Sequence, residues 1–127
     1  MSSCVLDSSA VLAYLHNEPG GETTAGLLDE AAISAVNAAE VGAKLSDDGA
    51  SEDRIRRIFR DLDIEITDFD ETLSYRVAAL RQATRGVGLS LGDRACLATA
   101  QRLGVRAVTA DRKWSSLNVG VQIQVIR

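Results

Sequence analysis

Four acidic residues, Asp7, Glu40, Asp93 and Asp111, carry the chemistry this sequence can be read for. Asp7 closes the short apolar run Cys4-Val5-Leu6, and Asp111 follows the apolar run Arg106-Ala107-Val108-Thr109. Glu40 and Asp93 stand near the starts of two helical stretches, Asn37-Ala38-Ala39-Glu40 and Ser90-Leu91-Gly92-Asp93. In a parallel sheet, strand ends and helix starts share one edge, where ligands collect, so the four acids can converge there. Each also has an ordinary role. The two helix-start acids fit the capping-box pattern, Asp111 fits a turn, and Asp7 fits a helix N-cap. Two bare carboxylates about 4 Å apart repel by roughly 4 kcal/mol at an effective dielectric near 20. Four together therefore call for shifted pKa values or a bound cation. Oxygen-only ligands select hard cations, Mg²⁺ or in its place Mn²⁺. Such ions suit hydrolysis of a phosphodiester, where they activate water and stabilise the leaving oxygen.

Competing chemistries are poorly supported. No His-Cys set has zinc spacing, and His16, the only histidine, follows the first helix with no distinct acid partner and no nucleophile elbow, which counts against a Ser-His-Asp triad. Gly20-Gly21 and Gly86-Val87-Gly88 match no phosphate loop. A phosphatase-like use of Asp7 would need a second aspartate at position 9, which is Ser9.

The elements that must position the acids read as alternating strands and helices. Helical spacing of Val11, Leu12 and Leu15, capped by Ser8 or Ser9, gives a first helix, and Glu18-Pro19-Gly20-Gly21 breaks it. A helix is expected from about Glu22 to Glu30, a strand at Ala32–Ala35 and a helix from about Ala38 to Leu45. Ser51 caps a helix through Phe59, Ile64–Ile66 is a strand, and Asp70 caps a helix from Glu71 to about Thr84. Ser90 opens a helix from Leu91 to Leu103, stopped by Gly104; Arg106–Thr109 and Val121–Ile126 are the last strands. This alternation implies parallel crossovers in a three-layer α/β fold, without linker or repeat across residues 1–127.

Composition sets the bounds. At 127 residues, 46% hydrophobic and 25% charged, the chain suits one globular domain with a real core. No apolar run is long enough to span a bilayer, and no secretory signal opens the chain, so a cytoplasmic protein is expected. Cys4 and Cys96 both fall in apolar settings and read as buried free thiols. A net charge of −4 argues mildly against nucleic-acid binding, although Arg54, Arg56, Arg57 and Arg60 crowd one helix as a basic face.

Taken in order, Val5-Leu6-Asp7-Ser8-Ser9-Ala10, Ser34-Ala35-Val36-Asn37-Ala38-Ala39-Glu40-Val41, Leu89-Ser90-Leu91-Gly92-Asp93-Arg94-Ala95-Cys96-Leu97-Ala98-Thr99-Ala100 and Val108-Thr109-Ala110-Asp111-Arg112-Lys113-Trp114 resemble a PIN-domain ribonuclease. The resemblance extends to the VapC toxins of VapBC toxin–antitoxin pairs and spans nearly the whole chain. It implies a five-stranded parallel sheet with the first strand central. It also implies a Mg²⁺-dependent endoribonuclease with Asp7, Glu40, Asp93 and Asp111 as its catalytic, metal-holding pocket. Ser9 and Thr109 match small hydroxyl positions lining that pocket. A homodimer, an RNA substrate and a cognate antitoxin that blocks the site follow by the same resemblance. Two departures stand out: Ala110 where relatives often carry Asn, and Trp114 where they carry Phe. Two alternatives remain, a PIN ribonuclease outside a toxin pair and a non-catalytic PIN-like binding module.

Overall fold

The computed structural model describes residues 1–127. Five strands, β1 (Cys4–Leu6), β2 (Ala31–Ser34), β3 (Glu65–Thr67), β4 (Arg106–Thr109) and β5 (Ile123–Val125), form one sheet in the order β3-β2-β1-β4-β5. Every pairing is parallel, and β1 is central, as the resemblance implies. Leu6 lies opposite Ile33 on one side and Val108 on the other, so Asp7 and the residues after Ser34 and Thr109 reach the same edge.

Strand alternation divides the core. Val5, Ala32 and Ala107 face α5 (Glu71–Ala83) and α6 (Leu91–Leu103) in one apolar cluster that includes Trp114. Cys4, Leu6, Ile33 and Val108 face the other way, against α1 (Ser8–Leu15), α3 (Ala35–Asp47) and α4 (Glu52–Leu62). Coverage on both faces explains why β1 is wholly apolar rather than alternating. The result is an α/β/α sandwich. No helix is long and apolar enough to cross a membrane. Cys4 and Cys96 are buried and unpaired with each other.

Strands β2, β3 and β5 are displaced or shortened by one or two residues and α4 runs on to Leu62, and three further features differ from expectation. The stretch after the Gly20-Gly21 break is not one helix to Glu30; α2 covers only Gly21–Ala25, and a 3-10 turn takes Leu28–Glu30. Gly26 and the need to lead directly into β2 leave no room for a longer helix. The third helix starts at Ala35, three residues early, because Ser34 is its cap: its hydroxyl accepts from the Val36 amide at 3.2 Å. Asn37 is therefore inside the helix rather than a cap, and Glu40 lies in the second turn. Finally, Asp7 itself caps α1 by accepting from the Ala10 amide, in place of Ser8 or Ser9. The Ser90–Asp93 capping box, the Asp70 and Ser51 caps and the Gly104 stop are all present.

Candidate active site

Asp7 emerges from the central strand into the core, only 3% exposed. Its Oδ1 accepts from the Ser9 hydroxyl at 2.7 Å and the Ala10 amide at 2.8 Å, and its Oδ2 accepts from the Thr109 hydroxyl at 2.5 Å. Burial pushes its carboxyl up from 3.8 to about 6, working against those three hydrogen bonds, and the nearby charge of Asp93 adds to the rise. Ser9 and Thr109, which flank Asp7, thus spend their hydroxyls on holding it. They also tie in the last acid's segment: the Ala110 amide donates to Ser9 Oγ at 2.9 Å, and the Asp111 amide donates to Thr109 Oγ1 at 3.0 Å.

Helix starts supply the second group. Asp93 is half-buried in the first turn of α6, its carboxylate accepting from the Ser90 amide at 3.0 Å while its own amide donates to Ser90 Oγ. Glu40 is exposed; its Oε1 accepts from the Ser8 hydroxyl and from Asn37 Nδ2. Burial drives the Cys96 thiol far above its ordinary value, and Asp7, Asp93 and Glu40 all lie near enough to Cys96 that their charges push it up further. Asp111 sits on the other flank, and its carboxylate caps the 3-10 turn Arg112–Ser116 by accepting from the Lys113 amide at 3.0 Å.

The fold therefore gathers the elements at one edge without drawing the carboxylates into a cage. No three acidic, histidine or cysteine side chains stand at the spacing of a ready metal site. Every carboxylate is turned onto a neighbouring donor instead. The chemistry of the donor set still fits a hard divalent cation. All candidate ligands are carboxylate oxygens, and Asp7 is a buried acid whose ionised form a cation would favour.

Sequence reading missed Ser8, Asn37 and Gly92 as members of this site. Asn37 is 1% exposed, with Nδ2 on Glu40, on Ser8 Oγ and on the Gly92 carbonyl. Its three-residue spacing to Glu40 was visible but read as a cap; its link to Gly92 crosses 55 residues and left no local trace. An apolar trough lined by Val36, Ala39, Phe69 and Leu91 opens beside Glu40 and Gly92. The residues left out of the site are outside it. Asp70 pairs with Arg102, which pulls its carboxyl down to about 2. His16 ends α1, 3.5 Å from Asp48.

A five-stranded parallel sheet with its acids on that edge defines the class. Residues 4–119 match the PIN-domain family, and the chain belongs to that family. Comparison with curated proteins returns no match. Among solved structures, the fold is similar to DNA-bound VapBC from Salmonella typhimurium, with a TM-score of 0.76 and 16% identity over 100% of both chains. VapBC2 from Rickettsia felis, bound to a fragment of its promoter DNA, gives a TM-score of 0.73 at 20% identity over 98% of each chain. The VapC20 toxin of Mycobacterium tuberculosis, which cleaves the sarcin–ricin loop, gives 0.69 at 14% identity, covering 94% of this chain and 99% of that one.

Proposed function

We propose that this protein is a divalent-metal-dependent endoribonuclease, the toxin of a toxin–antitoxin pair, and that Asp7, Glu40, Asp93 and Asp111 form its active site. The observation that carries the reading is Asp7: a buried carboxylate at the end of the central strand, close enough to Asp93 to feel its charge, with Glu40 carried to the same sheet edge by α3. A fold needing only an N-cap at this point would not bury it near two further acids. Membership of the PIN-domain family and likeness to VapBC toxins support the same reading.

In this reading Asp7 and Asp93 hold Mg²⁺, or Mn²⁺ in its place, and Glu40 and Asp111 complete the site. Once bound, the ion supplies a water activated for attack and a counter-charge for the leaving oxygen. The protein's own residues do the rest. Ser9 and Thr109 keep Asp7 oriented and ionised, and Ser9, the less buried of the two, lies where the RNA backbone would pass. Glu40, the exposed acid, is placed to accept a proton from water or substrate. The carboxylates also keep polyanionic RNA away until a cation is present. The reading includes a cytoplasmic homodimer and an antitoxin that covers the acids.

The wide spacing of the acids is also what a non-catalytic binding module would show, so the assay must separate the two. Purified protein is offered a defined RNA pool with Mg²⁺ or Mn²⁺ and with chelator, beside Asp7→Asn and Asp93→Asn. Metal-dependent cutting lost in both variants is the expected result. Binding of RNA without cutting, on the pool and on total cellular RNA, would establish the module instead.

A further inference from the structure

We propose that Asn37 is a positioning residue that aims Glu40 into the site and ties it, through the Gly92 peptide, to Asp93; this rests on the four-acid reading above. Asn37 and Glu40 are three apart on α3 and so share a face. The Asn37 amide nitrogen meets three acceptors: Glu40 Oε1 at 2.8 Å, the Gly92 carbonyl at 3.1 Å and Ser8 Oγ at 3.2 Å. Turning the amide over would set its oxygen against a carboxylate and a carbonyl, so the acceptors themselves dictate its orientation. One side chain thereby joins α1, α3 and α6 at the point where their acids meet.

Two features say that this arrangement serves the site rather than the fold. Asn37 Oδ1 is buried and has no partner, a cost an apolar residue of the same shape would avoid. Gly92 forms the opposite wall: a Cβ there would collide with the Glu40 carboxylate. Gly92 has no left-handed backbone to require glycine, so its missing side chain is a matter of space for Glu40. Glu40 is held between an amide that pulls and a wall where an added Cβ would push its carboxylate aside. Asn37 touches no reacting atom in this scheme; it acts through Glu40.

The test is Mn²⁺ binding, read from loss of the free-ion paramagnetic resonance signal, with thermal melting of the metal-free protein alongside. It compares wild type, Asp7→Asn, Asn37→Leu, Glu40→Gln and the Asn37→Leu/Glu40→Gln pair. Asn37→Leu should weaken Mn²⁺ by roughly tenfold or more, as loss of a ligand's supporting partner does, while its melting temperature holds or rises. The double variant should bind no more weakly than Glu40→Gln alone. Additive losses, or wild-type binding by Asn37→Leu while Asp7→Asn binds none, would overturn the positioning role and leave the four-acid site standing. No Mn²⁺ binding by wild type would overturn both. If Asn37→Leu does not fold, Gly92→Ala decides, since its methyl group displaces Glu40 by a separate route. Weakened Mn²⁺ binding supports the proposal, and unchanged binding sinks it.

Discussion

Asp7 and Glu40 are both acids at one edge of one sheet, yet opposite physics holds them. Asp7 is a product of the core: buried at the end of a strand covered on both faces, with three donors aimed at it and its carboxyl raised to about 6. Glu40 is a product of helix placement: exposed, and directed by contacts from Ser8 and Asn37. The buried acid makes the fold strain against its own charge, whereas the exposed one buries no charge and passes its strain to Asn37, whose Oδ1 is buried without a partner. The strain lies in the acid itself at the centre and in a supporting residue at the rim.

The strongest way to break this contrast is Asp7→Asn. Losing a central metal ligand should lower cleavage by roughly 1,000-fold, the equivalent of about 4 kcal/mol. The same change should stabilise the metal-free protein at neutral pH. A raised folded pKa means the protonated acid favours the fold: that contribution is whole below 3.8 and is lost as pH rises through about 6. Wild type should therefore lose up to about 3 kcal/mol across that window, and Asp7→Asn should not. Urea unfolding at pH 4, 5, 6 and 7 measures both; parallel curves for the two proteins would refute the account of Asp7.

Thr109→Val sharpens the comparison from the other side. It keeps the shape but strips Asp7 Oδ2 of its donor and the Asp111 amide of its acceptor, which should cost about 1–3 kcal/mol at pH 7. The carboxyl of Asp7 should rise further, so the acid limb of the cleavage profile should move to higher pH. Asp93, the other metal-holding acid, is half-buried: Asp93→Ala should cost only about 1 kcal/mol, the worth of its share of the capping box, while cleavage falls by roughly 100-fold. Asp93→Asn, which still accepts from the Ser90 amide, should separate the two by losing cleavage but keeping the cap. The smallest effect belongs to Arg102→Ala. It breaks the surface pair with Asp70, far from the acids in function, and cleavage should be unchanged.

Much of this was legible in the residues, for reasons the structure makes plain. Asp7 and Asp111 could be placed because an apolar run followed by an acid is a strand end in any alternating α/β chain. Asp93 could be placed because the Ser90 capping box fixes it in the first turn of α6, at the same edge as the strand ends. The second helix of the site was harder: Ser34 and Asn37 are both good caps three residues apart, and only pairing of β2 through Ser34 decides between them. The failure over Glu22–Glu30 has a similar source, since the need to enter β2 overrides helical preference there. Asn37 and Gly92 escaped because their roles lie in a contact between α3 and α6, and glycine beside a distant carboxylate looks like any other glycine.

The pairing of β1 with β4 has a consequence in time. Asp7 is made 102 residues before Thr109, whose hydroxyl sits on its Oδ2, and before the neighbouring acid Asp111. An emerging chain can carry Asp7, Glu40 and Asp93 and still lack the strand that seats the first of them. Closing a loop of about a hundred residues is also a late and entropically slow event. On the proposed reading, a product that stops short of β4 has no completed site with which to cut RNA.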